Sequence, residues 1–191
     1  EPGGLLDVKD ASYEKKTERS VYVKGSRWVE DQNYTIKLEG AHIAGFQNIS
    51  IVLIRDKKYV ENIDSWVNQI LEKATALISQ TLGLDETKYE IQIRLIGKNA
   101  TLGHLETNKN IPFEIGVLGI VTADYQNDAE EIAKILNPLF LHHSIFEEGE
   151  LPTFAFPFSP PSFNVGPKYE FCLNHTIELK DPMDIFRLEE Y

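Results

Sequence analysis

The polar residues best placed for chemistry lie in the segment GKNATLGHLE, residues 97–106. It combines glycines, which free the backbone, with the side chains of Asn99, His104 and Glu106. An imidazole and a carboxylate in one loop are able to bind a ligand or to exchange a proton with it. The same composition is typical of a surface loop whose glycines only satisfy turn geometry. We favour the surface loop and keep the ligand-binding interpretation open.

Glu39 and His175 are further candidates for ligand binding outside this loop. Glu39 and His42 flank Gly40 at the end of a predicted strand, where a carboxylate and an imidazole could cooperate. Two side chains that simply face water explain this pattern as well, and more simply. His175 falls on the apolar side of an alternating stretch, residues 169–179, which favours a hydrogen-bonded core histidine over a general base. The sequence assigns a catalytic role to none of these residues.

The sequence predicts neither a metal centre nor a cofactor. His142, His143 and His175 have suitable ligand chemistry, but consecutive residues of a helix point apart. His142 and His143 are instead expected to be cations that complement the dipole at the end of their helix. The single Cys172 supports neither an internal disulfide nor a cysteine-based zinc site. The sequence also lacks phosphate-binding loops, dinucleotide fingerprints and Ser-His-Asp arrangements.

Composition limits the classes of function. The chain has 191 residues, 42% of them hydrophobic, and a formal net charge of −11. This charge argues against nucleic acid as a partner, because phosphate binding needs clustered Lys and Arg. The sequence has no apolar run of about 18 residues that could span a membrane, and no recognisable signal peptide. It therefore predicts a soluble, cytoplasmic protein that does not associate with a membrane.

The strands that position the candidate loop can be recognised by their hydrophobic pattern. Residues 49–54 and 114–121 are apolar on both faces, which is typical of interior strands. Residues 89–95 and 169–179 alternate apolar with polar side chains, which is typical of half-buried strands. The candidate loop follows the strand 89–95, and His175 lies in the strand 169–179.

The predicted helices lie between these strands. Apolar residues at steps of three and four follow Asp56, which can cap a helix, and Gly83 is a suitable end. A second helix is predicted to start near Asn127 or Asp128. Pro138 should bend or shorten it, because proline removes a backbone hydrogen bond and clashes with the preceding turn.

The order strand, helix, strand, strand, helix, strand predicts an α+β domain at residues 46–191. This is the split βαβ order of a ferredoxin-like sandwich. We expect the first and third strands to lie parallel at the centre of a mixed sheet, with the second and fourth flanking them. Right-handed crossovers would place both helices on one face of the sheet.

Residues 1–45 are predicted to form an amino-terminal β extension. Strands at 5–13 and 18–23, joined by the polar stretch EKKT, read as a β-hairpin. A polar loop, 25–33, then leads to an extra half-buried strand that ends near Gly40. The chain begins at Glu1 without Met, so we expect it to be processed, cloned or cut out of a longer protein.

The carboxyl-terminal segment carries the most distinctive sequence. FAFPFSPPSF (154–163) places prolines between aromatic residues, and GPKYEFCLNH (166–175) and DPMDIFR (181–187) follow it. The phenylalanines of the first block could line an acyl pocket, although core packing or a subunit interface is the favoured interpretation. Together with residues 38–64 and RLIGKNATLGHLE (94–106), these blocks resemble, in the same order, the carboxyl-terminal half of the acyclic terpene utilisation AtuA-like family.

The resemblance implies a cytoplasmic, catabolic role in the breakdown of acyclic terpenes or related acids and acyl-CoA compounds. It brings no settled reaction, so whether the chain is an enzyme stays open. The glycine-rich amino-terminal half of the family is absent from these residues, and the end of the block GKNATLGHLE departs from the usual family pattern. We therefore expect a supporting domain for a site formed mainly elsewhere, with an acyl or carboxylic acid as the small-molecule ligand.

The alternative is a non-catalytic module for oligomerisation or partner binding. Edge strands and the segment FPFSPP would then form the interface. The expected partners are a second copy of the chain or an amino-terminal partner domain.

Overall fold

The computed structural model describes residues 2–146, 149–181, 183–187 and 189. These residues form an α+β structure, as predicted, and their contacts divide the chain into one unit of residues 1–42 with 170–191 and another of residues 43–169. The prediction had instead joined the last segment to the domain at 46–191. The elements are β1 Gly4–Asp7, β2 Ser12–Thr17, β3 Ser20–Lys24, β4 Arg27–Glu30, β5 Thr35–Ile54, α1 Lys57–Glu61, α2 Ile63–Leu82, β6 Tyr89–Ile96, β7 Ile115–Ala123, α3 Gln126–His142, β8 Phe154–Ala155 and β9 Ser162–Glu178.

The first unit contains short antiparallel ribbons. β2 and β3 form a hairpin in which Glu14 is opposite Tyr22, and β1 pairs with β4, with Leu6 opposite Trp28. The stretch EKKT, which was predicted to be the turn, lies within β2, and β4 lies within the predicted polar loop 25–33. Both predictions were wrong because every residue of β2 and β4 is exposed. Such strands lack the alternation that marks a half-buried strand.

The predicted closing strand is present but longer, because β9 begins at Ser162. It pairs with β5, and within the first unit Leu179 N donates to Tyr34 O at 2.9 Å. The alternating face that was predicted to be half-buried is largely exposed, since Phe171 and Leu173 keep 62% and 41% of their surface accessible. The apolar pattern therefore predicted the strand correctly, but the predicted burial of its apolar face was wrong.

The sheet of the second unit has the strand order β6-β7-β5-β8. β5 and β7 are antiparallel neighbours, with Val52 opposite Val117, and β6 and β8 pair antiparallel to β7 and β5, respectively. The expected parallel arrangement of the first and third strands is therefore wrong. β5 and β6 follow each other in the sequence but are not neighbours in the sheet. β7 lies between them and is antiparallel to both.

The helices follow their sequence signals closely. The Asp56 side chain caps α1 by accepting from Lys58 N at 2.8 Å. Gly83 ends α2 in the left-handed conformation, with a φ of 67°, which costs glycine little. Pro138 lies inside α3, which nevertheless continues to His142. Among the described residues, no helix combines the length and the apolar character that crossing a lipid bilayer requires.

One hydrophobic core lies between these helices and the sheet of the second unit. Its largest fully buried side chains include Trp66, Tyr59 and Phe140. The buried side chains of α2 recur along one stripe, as its sequence predicted. The candidate loop connects β6 and β7, and both strands pack against this core.

Candidate functional site

The loop between β6 and β7 forms a cleft with α1 and the start of α2. We call it the loop cleft, and its volume is about 390 Å³. It brings together the predicted candidates Asn99, His104 and Glu106. The other polar and apolar lining residues include Val60, Glu61, Asp64, Lys98 and Lys109.

The backbone of this loop is held by a tight turn at the end of β6. Leu95 O accepts from Lys98 N at 3.0 Å and from Asn99 N at 3.1 Å. Gly103 N donates to Asn99 O at 2.8 Å. Gly97 has a φ of 96°, and a Cβ there would approach Glu114 O to 3.0 Å. The glycines therefore serve turn geometry, and they do so in the same loop that carries the candidate side chains.

Charges of both signs line the loop cleft. Lys98 pairs with Asp64, and the Glu106 carboxylate accepts from Asn108 N at 2.7 Å. Glu61 makes a longer ion pair, 3.7 Å, with Lys57. Exposed His104 adds an imidazole to this set. The cleft thus presents amide and cationic donors together with carboxylates, which suits a small polar ligand and proton exchange with it.

The remaining candidates lie in the other unit and do not line this cleft. Glu39 is exposed and pairs with Lys37 at 2.8 Å, and His42 is also exposed. His175 is exposed on β9, so the expectation of a core histidine was wrong. The error has the same cause as the misjudged burial of β9, because a histidine on an apolar strand face is buried only if that face is covered.

The buried histidine is His143, which exposes 5% of its surface. Lys73 Nζ lies 3.0 Å from its Nδ1, and Gln69 Oε1 lies 3.3 Å from its Nε2. Because the ammonium of Lys73 can only donate, Nδ1 is the acceptor and Nε2–H donates to Gln69. Burial, and then the nearby positive charge of Lys73, lower the pKa of His143. The expected helix-end cation is therefore a neutral, buried ring.

A second cleft, which the sequence did not predict as a site, lies beside the proline-rich block. We call it the proline cleft, and its volume is about 520 Å³. It is lined by Asn48, Asn137, Pro160, Pro161, Phe163 and Asn164, among others. The signal in the sequence was Asn48, a polar residue directly before the apolar run 49–54 of β5.

The aromatic residues of this block have separate roles. Phe154 and Phe156 pack against the hydrophobic core, as the favoured interpretation expected for this block. Phe158 and Phe163 form an edge-to-face pair, with ring centroids 5.6 Å apart, and Phe163 lines the proline cleft. An aromatic side chain thus stands at a cavity, but only at one end of the block.

Within the described ranges, no three His, Cys, Asp or Glu side chains cluster closely enough to hold a metal ion. Comparison with known proteins gave no match to a family model, to a curated protein or to a solved structure.

Proposed function

We propose that the chain is the carboxyl-terminal portion of an AtuA-like catabolic protein of the cytoplasm. Residues 43–169 would be its ferredoxin-like domain, and the loop cleft would help to bind a carboxylic acid or acyl compound. The observation that carries this proposal is the position of the block RLIGKNATLGHLE. The loop that resembles the family, residues 97–106, is the loop that builds the cleft.

The chemistry of the loop cleft favours a carboxylate ligand. Asn99 and Lys109 supply hydrogen-bond donors, and the imidazole of His104 supplies a ring N–H donor as well. Lys98 is already neutralised by Asp64, so Lys109 carries the attraction for an anion. Glu61 and Glu106 oppose a second negative charge, which favours a monoanionic acid over a polyanion.

This domain would support a reaction rather than perform it alone. The loop cleft is polar and borders water at exposed residues such as His104 and Lys109, whereas acyl chemistry depends on sites that exclude water. The glycine-rich amino-terminal half of the family would supply the rest of the site. If the 191 residues alone converted citronellyl or geranyl substrates at an ordinary enzyme rate, this division of labour would be wrong.

Calorimetric titration with citronellate tests the ligand. We expect the wild-type chain to bind citronellate, and His104→Gln to bind it about tenfold more weakly, since the hydrogen bond from the imidazole ring is lost. His42→Gln is the matched control, because it removes an exposed histidine outside the cleft. Absence of binding to the wild type, or equal loss in both variants, would contradict the proposal.

An assembly module is the second candidate function. It is favoured by the exposed apolar face of β9, where Tyr169 and Phe171 keep 64% and 62% of their surface accessible. Contiguous exposed apolar side chains mark interaction surfaces. Light scattering after size exclusion should then show a dimer or larger species for the wild type, and a monomer for Phe171→Lys. A wild type that is monomeric at high concentration would remove this candidate.

A further inference from the structure

Two of the asparagines that line the proline cleft have side-chain oxygens without hydrogen-bond partners. Asn48 exposes 2% of its surface, and its Nδ2 donates to Asn164 Oδ1 at 2.8 Å. Asn137 Nδ2 donates to Ser162 Oγ at 3.0 Å. The Oδ1 atoms of Asn48 and Asn137 are buried and have no hydrogen-bond partner. Leaving a buried acceptor unpaired costs about 1–3 kcal/mol, so a hydrogen bond from a donor to either oxygen would be favourable.

The polar side chains next to Asn48 are already bonded to one another. Asn164 Oδ1 already accepts from Gln126 Nε2 at 3.0 Å as well as from Asn48, and Asn164 Nδ2 donates to Glu130 at 3.2 Å. These bonds identify which side-chain atom of the Asn48 and Asn164 amides is the oxygen and which is the nitrogen. The terminal torsion of asparagine is soft, so a small rotation is enough to turn the free oxygens toward a donor in the cleft.

The wall of the cleft is apolar and rigid. Pro138, Pro160, Pro161 and Phe163 line it, and the ring of Phe163 is braced by Phe158. Proline fixes its own backbone torsion, so this wall loses little freedom when a ligand packs against it. A volume of about 520 Å³ is within the range of small-molecule sites, which join apolar walls to a few polar groups.

The charged groups at the cleft neutralise one another. Lys134 Nζ lies 3.1 Å from Glu130 and 2.7 Å from Glu131. Hydrogen bonds from Asn164 and then Lys134 lower the pKa of Glu130, so its carboxylate stays charged and the pair persists. Among the described residues that line it, the proline cleft therefore offers no free cation to hold an anionic group, in contrast to the loop cleft.

From these observations we infer that the proline cleft is a binding site for a neutral, chain-like molecule with hydroxyl or secondary amide donors. The apolar chain packs on Phe163 and the prolines. The donors pair with the free oxygens of Asn48 and Asn137. This site is separate from the loop cleft and does not depend on the function proposed for it.

Hexanoyl ethanolamide is a suitable probe because it carries an amide N–H, a hydroxyl and an aliphatic chain. Its N-methyl and O-methyl analogues keep the chain and each remove one donor. We expect the probe to bind to the wild-type chain in calorimetric titration. Each methyl cap should weaken binding about tenfold, because an oxygen is left unpaired. The two capped analogues distinguish an amide ligand from an alcohol ligand.

Variants of residues that line the proline cleft test whether the probe binds there. Asn137→Leu removes one free oxygen, so the probe should lose about tenfold in affinity and one of the two caps should lose its effect. Phe163→Ala, at a partly exposed position, should weaken the binding of the probe and of both capped analogues by the same factor. Phe113→Ala, at a ring that is 82% exposed, is the matched control and should change nothing.

The inference is overturned if the wild type does not bind the probe, if the capped analogues bind equally well, or if Asn137→Leu keeps full discrimination between them. His104→Gln should leave all these affinities unchanged. Loss of citronellate binding with intact probe binding would therefore contradict the proposed function alone, and the reverse result would contradict this inference alone.

Discussion

His143 illustrates how one side chain joins elements that are distant in sequence. Its ring is enclosed between Lys73 and Gln69 of α2, while its carbonyl accepts from the indole of Trp66 at 2.8 Å. The end of α3 is thereby bonded to α2 through both the backbone and the side chain of one residue. A proton added to this ring would place the positive charges of His143 and Lys73 next to each other in the protein interior.

Stability should therefore depend on pH through His143. Its pKa is lowered in the folded chain from the ordinary value of 6.5, so the unfolded chain binds the proton more tightly. The contribution of this ring to stability is complete above pH 6.5 and is lost as the pH falls from there toward the folded pKa. Urea unfolding at a series of pH values should show this loss.

The variant His143→Gln should flatten this part of the pH profile, because it has no group that titrates there. His142→Gln is the control, since His142 is the exposed neighbour, and it should retain the wild-type slope. An unchanged slope in His143→Gln would show that another group is responsible.

The candidate residues that meet in the structure are those that stood out as a group in the sequence. Asn99, His104 and Glu106 meet in one cleft because a single short loop carries them. Asn48 and Asn137 come from β5 and α3 and converge only through the fold. Neither has neighbours in sequence that suggest a site, so periodicity and spacing could not have paired them.

At the scale of elements, prediction succeeded where burial is strong. α2, β6 and β7 have the expected positions in the sequence. Each contributes side chains to one core, so the spacing of its apolar residues predicts the element. The strands β2 and β4 were misassigned since all their residues are exposed. The direction of β7 relative to β5 also escaped prediction, because an apolar strand looks the same in both directions.

The contact between α2 and the end of α3 should depend on Trp66. This side chain is fully buried, and its Nε1 donates to His143 O. We expect Trp66→Phe to reduce the free energy of unfolding by about 1–3 kcal/mol from the unpaired carbonyl, and further through the smaller ring. Urea unfolding followed by far-ultraviolet circular dichroism measures this without relying on tryptophan fluorescence.

Trp28→Phe is the matched control for that experiment. Trp28 is 53% exposed on β4, so its replacement should change the free energy of unfolding by no more than about 0.5 kcal/mol. A similar loss in both variants would mean that the hydrogen bond to His143 contributes little.

At the scale of the whole molecule, the hydrophobic core belongs to one unit. Its buried cluster extends from Val52 to Phe140 and so lies entirely within residues 43–169. The ribbons of the first unit expose apolar side chains such as Leu6, Trp28 and Val21 instead. Two-stranded ribbons are only marginally stable in water, so the units should differ strongly in local stability.

Hydrogen–deuterium exchange should reveal this difference. In dilute solution, amides of the β2–β3 hairpin, which is exposed throughout, should exchange much faster than those of β7, whose residues are mostly buried. If the chain also acts as an assembly module, exchange in β9 should slow as concentration rises, because a partner then covers Phe171 and Leu173, whereas β7 should not change. Phe171→Lys should abolish that dependence. Protection of β2 and β3 equal to that of β7 in dilute solution would show that the first unit is stabilised by interactions other than those of its own exposed strands.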